Sequence, residues 1–212
     1  MTEKKTSRSE QTRLKILAAA EAVFAEKGLD GARVDEIAAL AGANKRMLYE
    51  YYESKENLYG VVLQSVYQRL GDCELFLTAA PETPDAEQAI GDLVAAYFSF
   101  LEKNPTYVRM VMWENLYGAR HFDAMGLGGV RDPVKKAIRQ LVAAGRKTGV
   151  FRAEADEEQV LMTLFACTFN FFSNIHTMSR VMGRDLAAGE ALVQRQRQVT
   201  ELLLCYLTPK GD

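Results

Sequence analysis

Helical periodicity runs almost from end to end of this 212-residue chain, and strand-like alternation is nearly absent. Apolar residues recur three and four positions apart, and helix-capping residues stand where each run starts or stops. Each such stripe has to be covered by another helix, which restricts the chain to helix-on-helix packing. The expected fold class is all-α, with about nine helices.

Ser7 with Glu10 reads as a capping box for the first helix, which turns Leu14, Leu17, Ala20, Val23 and Phe24 inward and ends at Gly28. Val34 to Ala41 is a two-turn helix with Val34, Ile37, Ala38 and Ala41 on one face. Gly42 makes a tight turn, Asn44 caps the next helix over about Lys45 to Tyr51, and Ser54 caps a longer one from Lys55 into the seventies. Pro81 to Asp85 is a loop, and Asp85 with Gln88 starts a helix that stops near Asn104. Pro105 suits the first position of a helix reaching about Tyr117. Gly126 to Gly129 is expected to be the most flexible segment. Asp132-Pro133 opens a helix ending at Gly149, Asp156 with Gln159 opens one reaching about Val181, and the last covers about Leu186 to Leu207.

Ile37 to Tyr59 carries the functional signal. A short helix, a glycine turn and a second short helix bearing Lys45, Arg46, Tyr49, Tyr51 and Tyr52 is the layout of a helix-turn-helix, whose second helix enters the DNA major groove. So short an element cannot bury all of these side chains. Arg or Lys can pair with guanine O6 and N7, Met47 can meet a thymine methyl, and Lys55 can hold a phosphate beside the helix start that follows it. The charge balance weighs against bulk attraction to DNA: ten cations meet ten carboxylates in the first sixty residues, and the whole chain carries −2. Binding has to come from where the cations sit, with Lys4, Lys5, Arg8 and Arg13 on the leading arm and first helix.

The motifs resemble those of the tetracycline-repressor (TetR) family. They are Arg13-x-x-Ile16-Leu17-x-Ala19-Ala20-x-x-x-Phe24-x-x-x-Gly28, Val34-x-x-Ile37-Ala38-x-x-Ala41-Gly42, and Leu48-Tyr49-x-Tyr51-Tyr52-x-x-Lys55-Glu56-x-Leu58. The resemblance implies a homodimeric one-component transcriptional regulator, usually a repressor, with an N-terminal three-helix head on a near-palindromic operator. A larger helical body would dimerise and bind a small effector. DNA-binding residues 1–54 and effector-binding and dimerisation residues 55–212 are the expected domains. By the same resemblance Lys45, Arg46, Met47, Tyr49 and Glu50 would read bases, while Tyr51, Lys55 and the start of the second helix would hold the backbone. The capping residue Asn44 is a further DNA-binding candidate, and Arg33, a departure from the family pattern, could grip a phosphate itself. Ala32-Arg33 stands where the family often has Thr or Ser, and Arg46-Met47 replace small residues, so no relative's operator can be assumed.

Asn104 to Tyr117 and Leu161 to Met182 are rich in Met and aromatics. Within them Trp113, Glu114, Phe169, Asn170, Asn174 and His176 are the expected effector-binding residues, for a small apolar or aromatic compound. His121 reads as a surface or loop residue. Apolar stripes on two sides of the last two helices (Phe165, Phe169, Phe172, Ile175; Leu192, Val199, Leu202, Leu203, Tyr206) suggest a homodimer formed through them. Cys73, Cys167 and Cys205, without metal-ligand spacing, read as reduced core residues of a cytoplasmic protein. No apolar run is long enough for a membrane span, the N-terminus lacks a signal core, and nothing calls for a metal or cofactor. A nucleophile with its base is lacking too, so an enzyme is not expected. The alternative function is a helical ligand-binding or adaptor protein without DNA contact.

Overall fold

The computed structural model describes residues 8–78, 85–129 and 132–209, so Lys4, Lys5 and the Ser7 cap lie outside the described residues, as does most of the 81–85 loop. Eleven α-helices stand in order among them: α1 (Arg8–Gly31), α2 (Val34–Ala41), α3 (Lys45–Tyr52), α4 (Lys55–Thr78), α5 (Ala86–Lys103), α6 (Pro105–Leu116), α7 (Arg120–Ala124), α8 (Asp132–Thr148), α9 (Glu157–Ser173), α10 (Ile175–Met182) and α11 (Gly189–Leu207). The all-α expectation holds, but the count of about nine does not.

Two breaks account for the difference. The helix expected to run to Val181 ends at Ser173, where Asn174 leaves helical geometry (φ −110°, ψ 8°) and its side chain donates back to the Asn170 carbonyl at 3.1 Å. Asn is a residue whose side chain competes for local backbone groups, so it ends a helix that apolar spacing alone would continue. The second break follows α6, where Gly118 and Ala119 both take left-handed angles and start the short α7. Two smaller differences accompany them. The last helix begins at Gly189 and not at Leu186. The glycine-rich segment expected to be most flexible forms a 3-10 turn over Leu127–Gly129, with Leu127 buried.

The chain divides into two compact units. One comprises the described residues up to Gln68 together with Arg109–Gly128, and the other comprises Arg69–Val108 and the chain from Gly129 on. In the first, α1 packs on α2 and α2 on α3. Its core is Ile16, Ala20 and Phe24 of α1, Ile37 of α2, Leu48 and Tyr52 of α3, and Tyr59 and Leu63 of α4. Fully burying each large apolar side chain stabilises by roughly 1.5–3 kcal/mol. Leu14, expected inside, is exposed, because the inward stripe of α1 runs through Ile16.

In the second unit α5, α8, α9 and α11 pack together around Ile90, Val94, Ile138, Val142, Val160, Leu164, Val199 and Leu203. Asp85 and Asp156 cap α5 and α9 as expected, each accepting backbone N–H groups of the first turn. Gly145 is required by close packing, since a Cβ there would lie 2.1 Å from the Phe151 ring. The expectation that the cysteines are core residues is corrected for two of them, Cys205 being exposed and Cys167 half-buried, while the Cys73 side chain lies outside the described residues.

Candidate nucleic-acid interface

The turn between α2 and α3 is built by hydrogen bonds that the sequence dictates. Gly42 takes φ 61°, ψ 33°, its N–H donating to the Ala39 carbonyl at 3.2 Å while the Ala43 N–H reaches Ala38 at 3.0 Å. This is the Schellman end of a helix, open to glycine because it lacks a Cβ. Asn44 Oδ1 then accepts the Arg46 N–H at 3.0 Å, starting α3. The missing hydroxyl at the start of α2 is real: Arg33 gives no side-chain cap, and the acidic Asp35 and Glu36 occupy that first turn instead. Carboxylates suit a helix N-terminus, where unpaired N–H groups leave partial positive charge.

Only Leu48 and Tyr52 of α3 point inward, 3% and 1% exposed. Tyr52 is fixed by its hydroxyl, which donates to the Arg13 carbonyl at 3.2 Å, and burial raises its pKa above the ordinary phenol value. That leaves Lys45, Arg46, Tyr49 and Glu50 exposed and Met47 half-buried on the outer face, with Asn44 and Arg33 also exposed. Tyr51 is half-buried, its hydroxyl 3.0 Å from Ser9 Oγ. The helix ends in a γ-turn at Glu53 (φ 64°, ψ −47°), closed by the Ser54 N–H donating to the Tyr52 carbonyl at 2.6 Å. A non-glycine residue there is strained.

The two cations on α3 are paired. Lys45 Nζ lies 2.9 Å from Asp35 Oδ1 and 3.1 Å from Oδ2, and the Asp35 hydrogen bond holds its ammonium above the usual lysine value. Arg46 Nε donates to Glu50 Oε1 at 2.7 Å, and Lys27 pairs with Glu36. Lys55 differs from the expectation in what it touches: its ammonium donates to the Leu29 and Ala32 carbonyls at 2.8 and 3.2 Å, tying the end of α1 to the start of α4. Two of its three N–H groups are thereby engaged.

The residues expected to bind an effector fall into two groups. Trp113 and Glu114 belong to the first unit, and Phe169, Asn170, Asn174 and His176 to the second. Trp113 Nε1 donates to the Ala25 carbonyl at 3.3 Å. Glu114, 3% exposed, accepts from the Tyr59 hydroxyl at 2.9 Å and His121 Nδ1 at 2.8 Å through Oε1, and from the Phe122 N–H at 3.1 Å through Oε2. Arg120 Nε donates to His121 Nε2 at 3.3 Å, so both ring nitrogens are engaged. His121 is therefore corrected from a surface residue to one whose side chain is 16% exposed. Burial, reinforced by the Glu114 charge and its hydrogen bond, pushes the Tyr59 phenol far above its ordinary range. Tyr117 stacks on Trp113, and its hydroxyl accepts the Leu29 N–H at 3.1 Å. In the second unit Phe169 is half-buried while Asn170, Asn174 and His176 are exposed. A groove of about 740 Å³ in that unit is lined instead by Lys135, Arg139, Arg146, Asp156, Glu157 and Met162.

The sequence missed the Tyr59–Glu114–His121 cluster. Its one signal was the seven-residue spacing of Glu114 and His121, two turns of one helix face, obscured by the break at Gly118.

Comparison with known proteins bears on this geometry. Residues 16–62 match the family described as bacterial regulatory proteins, tetR family, and residues 87–203 match the tetracyclin repressor-like C-terminal domain. The HTH-type transcriptional repressor NicS of Pseudomonas putida is 29% identical over 201 residues, covering 94% of each chain. The HTH-type transcriptional regulator RutR of Escherichia coli O157:H7 is 42% identical over 200 residues, 92% of this chain and 90% of that one. Among solved structures, the ketosteroid transcriptional regulator KstR2 of Mycobacterium tuberculosis shares the fold at a TM-score of 0.69 and 20% identity, with 98% of both chains covered. A tetR-family regulatory protein from Rhodococcus RHA1 shares it at 0.73 and 21%, covering 97% of this chain and all of that one.

The chain belongs to the tetR family of bacterial regulators. It is a helix-turn-helix, DNA-binding transcriptional regulator, and a helical adaptor without DNA contact is not favoured. That class is not one of enzymes. Among the described residues no helix is long and apolar enough to cross a membrane.

Proposed function

We propose that the protein is a cytoplasmic homodimeric repressor that holds a near-palindromic operator and leaves it when a small apolar or aromatic effector binds. DNA binding belongs to residues 1–54, effector binding and dimerisation to 55–212. The observation that carries the DNA side is the division of α3, in which Leu48 and Tyr52 serve the core and leave Lys45, Arg46, Met47, Tyr49 and Glu50 without one. These five meet base edges in the major groove, while Arg33, Tyr51, Lys55 and the Asn44 end of the helix hold the phosphate backbone. The repressor NicS, similar over nearly its whole length, supports repression.

Dimerisation uses the last helices. Met162 of α9, Met178, Val181 and Met182 of α10, and Val193 and Leu202 of α11 are exposed apolar side chains. Such a concentration is unfavourable in water and suits a self-complementary face. A dimer fixes the spacing of two α3 helices near one DNA turn, about 34–36 Å. An effector held by Phe169, Asn170, Asn174 and His176 lowers operator affinity by preferring a dimer of different spacing.

Replacing Lys45, Arg46 and Tyr49 together by Ala tests the reading. A folded triple variant should lose at least about a hundredfold in operator affinity, because each base contact discriminates by roughly 1–3 kcal/mol. Affinity equal to the parent's would end it. For the effector step, a compound that saturates the protein and leaves operator affinity unchanged would contradict release.

A further inference from the structure

The outer face of α3 combines the cations expected to read bases with carboxylates already bound to them. Asp35 lies on α2 and Lys45 on α3, so their pair bridges the two helices of the motif with both carboxylate oxygens within 3.1 Å of the ammonium. Asp35 is held in place by its position in the first turn of α2, where the helix dipole favours an anion. Glu50 stands one turn beyond Arg46 and holds its Nε at 2.7 Å. All four side chains are about half exposed or more. Pairs so exposed add little to folding stability, and the Arg-before-Glu order along a helix is the less stabilising one. Their effect has to be sought in what the face presents outward.

We propose that Asp35 and Glu50 are intramolecular counter-ions of the recognition helix, which weaken its hold on DNA of arbitrary sequence and thereby set its specificity. The proposal rests on the reading of α3 as the base-contacting helix. Affinity for arbitrary DNA comes from cations that neutralise phosphates, each contributing a slope of roughly 0.9 in log affinity against log salt. A cation with a carboxylate at 2.7–3.1 Å offers a phosphate little net charge, and the carboxylate itself repels the phosphate. A guanine edge differs, because its two acceptors engage Arg or Lys directionally and can draw the side chain from its internal partner. The displaced Glu50 carboxylate can then accept from a cytosine N4 amine. The same displacement is required on every sequence, but only the cognate one supplies the contacts that offset it. Asp35 and Glu50 are two of the ten carboxylates that leave the first sixty residues without net charge.

The test measures binding of the full-length protein to two duplexes across a salt series, one of random sequence and one selected from a random pool by the parent. Glu50→Gln, Asp35→Asn and the double variant keep side-chain size and remove charge. Each should tighten binding to the random duplex by roughly fivefold, the effect of one unit charge facing a phosphate across a few ångströms of water. Each should also steepen the salt slope by up to about one, with the selected-to-random affinity ratio falling. Glu50→Gln does not touch the start of α2, so it carries the test if Asp35→Asn loosens that helix, with circular dichroism reporting the fold. Unchanged random-duplex affinity and slope in folded variants overturn the proposal. The triple variant at Lys45, Arg46 and Tyr49 separates the failures. If it keeps the parent's affinity, the reading of α3 falls. If it loses that affinity while the charge variants match the parent on the random duplex, only the counter-ion proposal falls.

Discussion

Glu50 and Glu114 each hold a basic side chain of their own neighbourhood, Arg46 at 2.7 Å and His121 at 2.8 Å, yet their surroundings give them opposite characters. Glu114 is buried, and three donors from α4 and α7 converge on its two oxygens. Glu50 lies on an open helix face with about half of its side chain in water. In the low-dielectric interior a hydrogen-bonded carboxylate is fixed, because no solvent stands ready to replace a lost partner. On the surface water replaces any partner at little cost, so the pair can open. One pairing holds structure together and the other remains exchangeable.

The buried member gives the largest expected effect. Glu114→Ala leaves the Tyr59 hydroxyl, His121 Nδ1 and the Phe122 N–H without their acceptor, and should destabilise the protein by about 3–5 kcal/mol. Urea unfolding measures it, and a loss below about 1 kcal/mol would erase the contrast with Glu50. Next comes Gly28→Ala. Its φ is +67°, and a Cβ would sit 2.7 Å from the Tyr117 hydroxyl and 2.9 Å from the Trp113 ring, so about 2–3 kcal/mol should be lost. Near-parental stability would mean that the aromatic pair yields easily, and that this end of the first unit is soft.

These two sites also mark how far the sequence could be read. The helix-turn-helix was legible because its determinants are local: Gly42 for a left-handed cap and Asn44 for an N-cap. Tyr52 was read with the outward tyrosines and is instead buried, because the buried face of α3 runs through Leu48 and Tyr52. Gly28 was legible as a helix end, though the chain regains a helical turn to Gly31 after it. The Glu114 cluster was not, because it joins residues 59, 114 and 121 through a break at Gly118 and Ala119, and Ala carries no sign of a left-handed angle. Asn174 was read as a ligand group when it is also the end of α9, since a polar residue in an apolar run fits both. The pairing of Lys45 with Asp35 was hidden for a related reason: periodicity finds partners along one helix and not across a turn.

Tyr59→Phe sharpens the comparison through pH. It removes one donor to Glu114 and should cost about 1–2 kcal/mol near neutral pH. The folded-state pKa of Tyr59 is raised, so the stability tied to its neutral form is complete below the unfolded value of about 10 and is lost as pH rises beyond it. Above about pH 10 the parent should lose up to about 1.4 kcal/mol per pH unit on this account, and the Phe variant none of that share. The difference between the two unfolding curves isolates the residue, since the other tyrosines and lysines are common to both. Parallel curves would show that the Tyr59 phenol ionises as freely folded as unfolded.

The smallest expected change belongs to the exposed member. Glu50→Gln should alter folding stability by no more than about 0.5 kcal/mol, the scale of a solvent-exposed pair one helical turn apart. Its smallness is informative because Arg46 and Glu50 are closer, at 2.7 Å, than Glu114 is to any of its three donors, at 2.8–3.1 Å. Distance alone would rank the pair among the strongest contacts. Solvent screening and side-chain entropy reduce it to almost nothing, and adding salt should shrink what remains. A loss of 2 kcal/mol or more, as for a group leaving an unsatisfied partner, would mean that α3 depends on Glu50 for its fold. The carboxylate would then be fixed like Glu114, and Arg46 could not exchange it for a base.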